Sequence, residues 1–503
     1  MAGRLRFSFN TTEPALLYPD AFSIVCFNDD FRLALDLPTI RALLLVCKRT
    51  RLLLGSKVAR FCAWFLREGF RDPDGQLQIG LTASEKIALS LRWNDQTAAY
   101  QSWVVAQVNR GSAAATFLLA QTLQSDIDKR LVTDRVKRRG VRRRITKYLT
   151  KATNGNSAIA QLRLAKFYRD GIGLSQDHTK AAELYLNLAK RGCAAAQVGL
   201  GRCYENGEGV VQDFTKAIEW YINAADQGSE DGRLHVVFLR GWFSLIGYGL
   251  EQSDVGALND WQEVSAKSSD SVLKPIATHM VGWMYYLGRG IQQDQQRGIK
   301  IIRENRSDDF RFGEGECLAG YRCVKSMFPA ATKIYQLCQL GSERDWLCKH
   351  LMAVFLAIGF GTVRGMQRAT SIFEQLVNEG HSDSQHWLGR CWFYGWGVSR
   401  ELPKAIEWCS KSAEQGNSYG KWGVARCYYW QNDVAEDLTK TVEWCRLSVE
   451  QDNRYGQFLL GSCYQKGDGV AKDIDAAVFW LRKAADQGFE RAIESLKELG
   501  KWP

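Results

Sequence analysis

Residues Cys203 to Gly228 read CYENGEGVVQDFTKAIEWYINAADQG, and Cys463 to Gly488 read CYQKGDGVAKDIDAAVFWLRKAADQG. Each stretch holds an aromatic after a cysteine, a G-x-G-V break, an Asp, a Trp and a closing A-A-D-Q-G. Just ahead of the first, Ala196, Leu200 and Tyr204 fall at i, i+4 and i+8, one face of a helix. Gly207 and Gly209 interrupt it, since glycine takes positive φ without steric cost. Asp213 stands where a side chain would cap a second helix. Ala217, Trp220, Tyr221, Ala224 and Ala225 then recur on one face, and Gly228 is placed as the terminating glycine. The unit is a helical hairpin with an A helix and a B helix.

Cutting the 503-residue chain after each such glycine gives Ser157–Gly192, Cys193–Gly228, His381–Gly416, Asn417–Asp452 and Asn453–Gly488, each of 36 residues. Residues 229–380 divide more loosely, at Ser269, Phe310 and Gly341. One hairpin cannot bury its apolar face alone, so a fixed period of this size predicts stacked hairpins. The expected fold is all-α, an α/α superhelical solenoid of about ten two-helix repeats. A tryptophan recurs eight residues before the unit ends, at Trp103, Trp220, Trp261, Trp408, Trp444 and Trp480. That column is expected in the core between units.

The layout carried by Leu200, Gly201, Tyr204, Gly207, Gly209, Val210, Asp213, Lys216, Ala217, Trp220, Tyr221, Ala224, Ala225 and Gly228 resembles the Sel-one-like repeat (SLR) family, a relative of the tetratricopeptide repeats. It returns at Leu460 to Gly488, fades in Ser229–Gly380 and is absent before about residue 80. The resemblance implies an adaptor or scaffold for protein complexes, with motif residues that are structural. The resulting organisation is a helical N-terminal cap region at 1–80 and divergent first repeats at 81–156. Clear repeats follow at 157–228 and, after the divergent 229–380, at 381–488, with a closing cap helix at 489–503. Within 1–80, Leu37-Pro38 and Leu45-Val46-Cys47-Lys48-Arg49 resemble parts of an F-box, with too short a gap between them. That resemblance implies a ubiquitin-ligase adaptor as the alternative to a plain scaffold.

The net charge of +11 is concentrated. Lys129 to Lys151 holds eleven Lys/Arg and one Asp. Ser112–Asn156 is one repeat plus nine residues, so the run 129–151 is expected as an enlarged loop between helices A and B, where solenoid insertions collect. Lys137, Arg138, Arg139, Arg142, Arg143 and Arg144 lie in this loop reading. They suit a solvated segment, a nuclear targeting signal or an anionic partner. A nucleic-acid patch is less favoured, because only Tyr148 is an interleaved aromatic.

A second basic feature is a column. Lys166, Arg202, Arg390 and Arg426 share one position of helix A, two residues after the buried leucine and about 200° round the helix from it. Stacking is expected to line them up as an exposed stripe suited to an acidic peptide, or simply to solvating charge. Cys203, Cys391, Cys427 and Cys463 form another column in helix A. Cys409 and Cys445 sit 18 residues after Cys391 and Cys427, a spacing similar to that of the cysteine-rich secreted members of the family, though at different positions. With no C-x-x-C pair and no signal-peptide pattern, the expectation is reduced, buried thiols.

The six histidines are scattered, with no metal-ligand spacing, phosphate-binding glycine loop or nucleophile elbow. The sequence therefore predicts no enzyme, cofactor or metal. It predicts protein partners or acidic segments, no membrane span, and a cytoplasmic or nuclear location.

Overall fold

A computed structural model describes residues 134–154, 158–320, 328–430 and 435–502, with six isolated positions between 116 and 127. The readings made of residues 1–80, of most of 81–133 and of Trp103 lie outside the described residues. The described residues are helical throughout, without a strand, and belong to two units that meet in sequence at Gly232.

The first unit holds α1 (Arg135–Asn154), α2 (Ala158–Asp170), α3 (His178–Lys190), α4 (Ala194–Asn206) and α5 (Phe214–Asp226). Each helix packs on the next. The hairpin α4–α5 follows the sequence closely. Asp213 is extended and accepts from the Lys216 amide at 3.0 Å, supplying the N-cap of α5. Gly207 closes α4 in the left-handed region, with φ of 71°. Tyr221 and Tyr185 are fully buried, and their rings press on Gly201 and Gly199 of α4. Any side chain at those two positions would meet the rings, so the glycines set how closely α4 approaches both B helices.

The closing glutamine of A-A-D-Q-G also has a task. The Gln227 amide donates to Gln197 Oε1 at 2.7 Å, joining the end of α5 to the start of α4. In the second unit Gln415 donates to Gln385 and Gln487 to Gln457 in the same way, at 2.7 and 2.9 Å. One polar clasp thus closes each of these hairpins.

The second unit holds α6 (Glu230–Ile246, which begins at the boundary), α7 (Asp254–Lys267), α8 (Leu273–Leu287), α9 (Gln295–Glu304) and the single turn α10 (Glu314–Cys317). It continues with α11 (Pro329–Gly341), α12 (Trp346–Ile358), α13 (Met366–Asn378), α14 (Ser382–Tyr394) and α15 (Leu402–Glu414). The last five are α16 (Ser418–Tyr429), α17 (Ala435–Val449), α18 (Arg454–Lys466), α19 (Ile474–Asp486) and α20 (Glu490–Glu498). Neighbouring repeats are tied by N-cap asparagines. Asn417 and Asn453 each accept from two amides of their own helix and donate back to Ser382 and Ser418 of the repeat before. At the C-terminal end, Ala492 and Leu496 of α20 pack on Leu481, Ala484 and Ala485.

Two expectations need correction. The tryptophan column is not uniformly core. Trp261 is fully buried, but Trp220, Trp408, Trp444 and Trp480 are half-buried. The residue after each carries the core instead: Tyr221, Cys409, Cys445 and Leu481 are at most 1% exposed. The indole sits one position, about 100°, round the helix from that contact, at the rim of the stack.

The basic run is not a loop from Asp134 onward. It is the 20-residue helix α1. Asp134 caps it, accepting from the Lys137 amide at 2.7 Å. Val141, Ile145 and Leu149 recur at i+4 and are buried, so an apolar face anchors the charged one. Arginine and lysine are themselves good helix formers.

Candidate partner-binding face

The four residues of the basic column fall two in each unit, and each pair has its own surroundings. In the first unit Lys166 on α2 is exposed and has no ion pair among the described residues. Its ammonium pKa is lowered, first by desolvation from the packing around it and then by Arg163, Arg169 and Arg202. Arg202 on α4 is half-buried and lies 3.5 Å from Asp231 in the first turn of α6, still within the first unit. Of the two, only Lys166 is an exposed cation.

In the second unit the column is not an exposed stripe. Arg390 on α14 is 2% exposed and Arg426 on α16 is 8% exposed. Their guanidinium groups lie over aromatic rings: Arg390 near Tyr394, Trp396 and Trp422, Arg426 near Phe393, Tyr394 and Trp422. For Arg390 the cause is a segment that the repeat period does not contain, whereas Arg426 is enclosed by aromatic rings of its own and the preceding repeat. Between α9 and α11 the chain leaves the hairpin pattern and lays Glu314 to Gly320 along the A helices of later repeats. Trp387 on α14 donates to the Cys317 carbonyl at 2.8 Å, and Arg390 donates to the Gly320 carbonyl at 2.6 Å. Tyr419 on α16 donates to Glu314 Oε1 at 2.7 Å, and Arg454 on α18 lies 3.0 Å from Glu314 Oε2. Arg303 pairs with the same carboxylate at 2.6 Å, so two arginines and a phenol offset the cost of burying Glu314. An irregular acidic segment is thus held by arginine and aromatic side chains of successive A helices.

Several groups that could do chemistry are used in packing. His279 and His350 are fully buried, and burial lowers both imidazole pKa values to about 3. His279 Nε2 accepts from the Trp283 indole at 3.0 Å, and His350 Nδ1 bonds Ser384 at 2.8 Å. His386 is also buried and pushed well below the ordinary value, by burial and then by Arg390 and Arg426. Asp383 is held by the Tyr286 hydroxyl and the Asn417 amide at 3.0 and 2.9 Å, with burial raising its pKa. The ten described cysteines are free thiols. Burial pushes Cys203, Cys391 and Cys463 up to about 12, which leaves them protonated at neutral pH. The thiol contacts join Cys409 to Cys427 and Cys338 to Cys348 rather than Cys391 to Cys409.

The six residues of the basic run share α1. Lys137, Arg139, Arg143 and Arg144 are exposed, and Arg138 and Arg142 are half-buried. No described helix is long and apolar enough to cross a membrane.

The family model of the Sel1 repeat matches residues 158–193, 194–229, 275–301, 382–417, 418–453 and 454–489. Those bounds agree with the periods read from the sequence to within one residue in the five full units. No curated protein matches the chain. Among solved structures, c5321, a protective antigen of uropathogenic Escherichia coli with an SLR fold, is 23% identical. The match covers 88% of this chain and 82% of that one, at a TM-score of 0.35. A Sel1 repeat protein of Oxalobacter formigenes is 20% identical over 80% of this chain and 91% of its own, at 0.29. Yeast Tom70 is 11% identical over 76% and 95%, at 0.28.

Proposed function

We propose that this chain, a Sel1 repeat protein, is a non-catalytic scaffold that holds acidic segments of partner proteins along its A helices. The observation that carries the reading is the seat of Glu314 to Gly320 on α14, α16 and α18. It displays the mode of recognition inside the molecule: a short acidic segment of one helical turn and its exit, carbonyls taken by arginine and tryptophan, carboxylate taken by arginine and tyrosine. At the equivalent A-helix positions of the first unit, Lys166 is exposed and Arg202 is half-buried beside Asp231. Charge-assisted hydrogen bonds to a carboxylate are stronger than neutral ones, and the cationic face also steers an acidic partner during encounter.

The test is binding of fluorescent acidic peptides to the full chain, beside basic peptides of the same length. Acidic peptides should bind and basic ones should not. Lys166→Glu with Arg202→Glu should weaken binding by about tenfold or more, the loss of roughly one charge-assisted contact. Equal binding of both peptide classes, or binding untouched by the reversal, overturns the reading.

A further inference from the structure

The register of α1 exposes something the repeats do not share. In α13, Thr370 Oγ1 contacts the carbonyls of Met366 and of Trp396 in the following turn, at 3.0 and 2.8 Å. In α1, Thr146 Oγ1 contacts the carbonyls of Arg142 and Ile172 in the same arrangement, at 3.1 and 3.4 Å. Met366 is the first residue of α13, whereas Arg142 lies well inside α1. Both helices stop at an equivalent asparagine, yet α1 has 20 residues and α13 has 13. The surplus is therefore entirely N-terminal, about 10 Å of extra helix that overhangs the next turn of the solenoid.

Under that overhang is a pocket of about 620 Å³. Arg138, Arg139, Arg142 and Arg143 line one side, and Gly171, Gly173, Leu174 and Ser175 line the other. The turn is pressed against the helix: a Cβ on Gly173 would stand 2.6 Å from the Arg142 carbonyl. Arg142 Nε is buried and has no hydrogen-bond partner among the described residues. Arg139 and Arg143 have no ion pair among the described residues either. An anion in the pocket would meet the guanidinium groups that line it.

From this we infer that the pocket binds a small ligand carrying clustered phosphates. The volume is that of a small-molecule site. Arginine forks match phosphate oxygens two at a time. Even without Arg138, the guanidinium groups of Arg139, Arg142 and Arg143 call for more charge than a single phosphate brings. The described lining has neither a carboxylate to repel the anion nor an aromatic ring to stack a base, so the charge itself is recognised rather than a nucleobase. A polyphosphorylated cyclitol fits that chemistry, whether free or as the headgroup of a lipid.

The site is separate from the Lys166–Arg202 face, and the experiment distinguishes the two. Inositol hexakisphosphate is titrated into the full chain by calorimetry, beside inorganic phosphate, a poly-glutamate peptide, a 20-nucleotide RNA and vesicles containing phosphoinositide. Micromolar binding of the cyclitol, and much weaker binding of inorganic phosphate, is expected. Arg139→Gln with Arg142→Gln should weaken it by at least tenfold, as two charge-assisted contacts are lost. Arg144→Gln with Lys147→Gln removes the same charge from the same helix outside the pocket and should change it less than threefold. Circular dichroism checks that α1 persists in both variants. Vesicle binding that is competed by the cyclitol assigns the ligand to lipid, and its absence assigns it to the free form. Equal losses in the two variants show diffuse charge attraction and overturn the site. So does cyclitol binding no tighter than inorganic phosphate, or stronger capture of RNA or poly-glutamate.

Discussion

Two glycines that look alike in sequence should respond very differently to alanine. Gly209 and Gly228 both lie in the left-handed region, with φ of 74° and 82°. A Cβ on Gly228 meets nothing within 4 Å. Gly228→Ala therefore incurs only the left-handed backbone term, ~1–2 kcal/mol, less the ~0.4–1 kcal/mol gained by stiffening the unfolded chain. The net cost is about 1 kcal/mol. A Cβ on Gly209 would stand 2.1 Å from the His178 carbonyl oxygen and 2.7 Å from the Thr179 amide nitrogen, both backbone atoms of the preceding repeat. They cannot rotate away, so α3 and the α4–α5 turn must separate by about 1 Å, loosening the packing around Ala181 and Tyr185. Overpacking of this kind adds ~1–3 kcal/mol. Gly209→Ala should thus cost about 2–4 kcal/mol, some 1–3 more than its counterpart. Urea denaturation of both variants followed by circular dichroism gives the difference directly. Equal costs would refute the close approach of successive repeats at this turn.

Acid should destabilise the second unit through its buried histidines. An unfolded imidazole takes up a proton below about pH 6.5, while folded His279 and His350 stay neutral down to about 3, so stability falls with pH across that window. At pH 4.5 each withdraws about 2.5 kcal/mol relative to pH 7. His279→Phe should flatten the pH dependence of the urea midpoint by that amount, and an unchanged slope contradicts the burial. In the first unit, Tyr221→Ala should cost ~3–5 kcal/mol and exceed Trp220→Ala, since Tyr221 is the fully buried one. The reverse order, read from thermal melts, would put the indole back in the core.

Most of the fold was legible because it is local. The cap at Asp213, the glycines at 207 and 228 and the 36-residue period are each set by contacts inside one hairpin or between adjacent ones. The helix through Arg139 and Arg143 was hidden by arithmetic. An excess of nine residues suggested a loop, although Asp134 as a cap and Val141, Ile145 and Leu149 at fourfold spacing were there to read. Recurrence and the shared face with Ala217, Tyr221, Ala224 and Ala225 point the Trp220 position to the core, when both mark a rim contact equally well. The burial of Arg390 was out of reach, because what covers it is 70 residues away and carries no periodic signal. For the same reason the role of Glu314 could not be found from spacing.

The most direct test of the central claim is hydrogen–deuterium exchange of the full chain with and without a saturating acidic peptide. The account predicts slowed exchange in α2 and α4, around Lys166 and Arg202, with α14, α16 and α18 unchanged because Glu314 to Gly320 already covers them. Protection confined to the B helices, or to α14, α16 and α18, would contradict it.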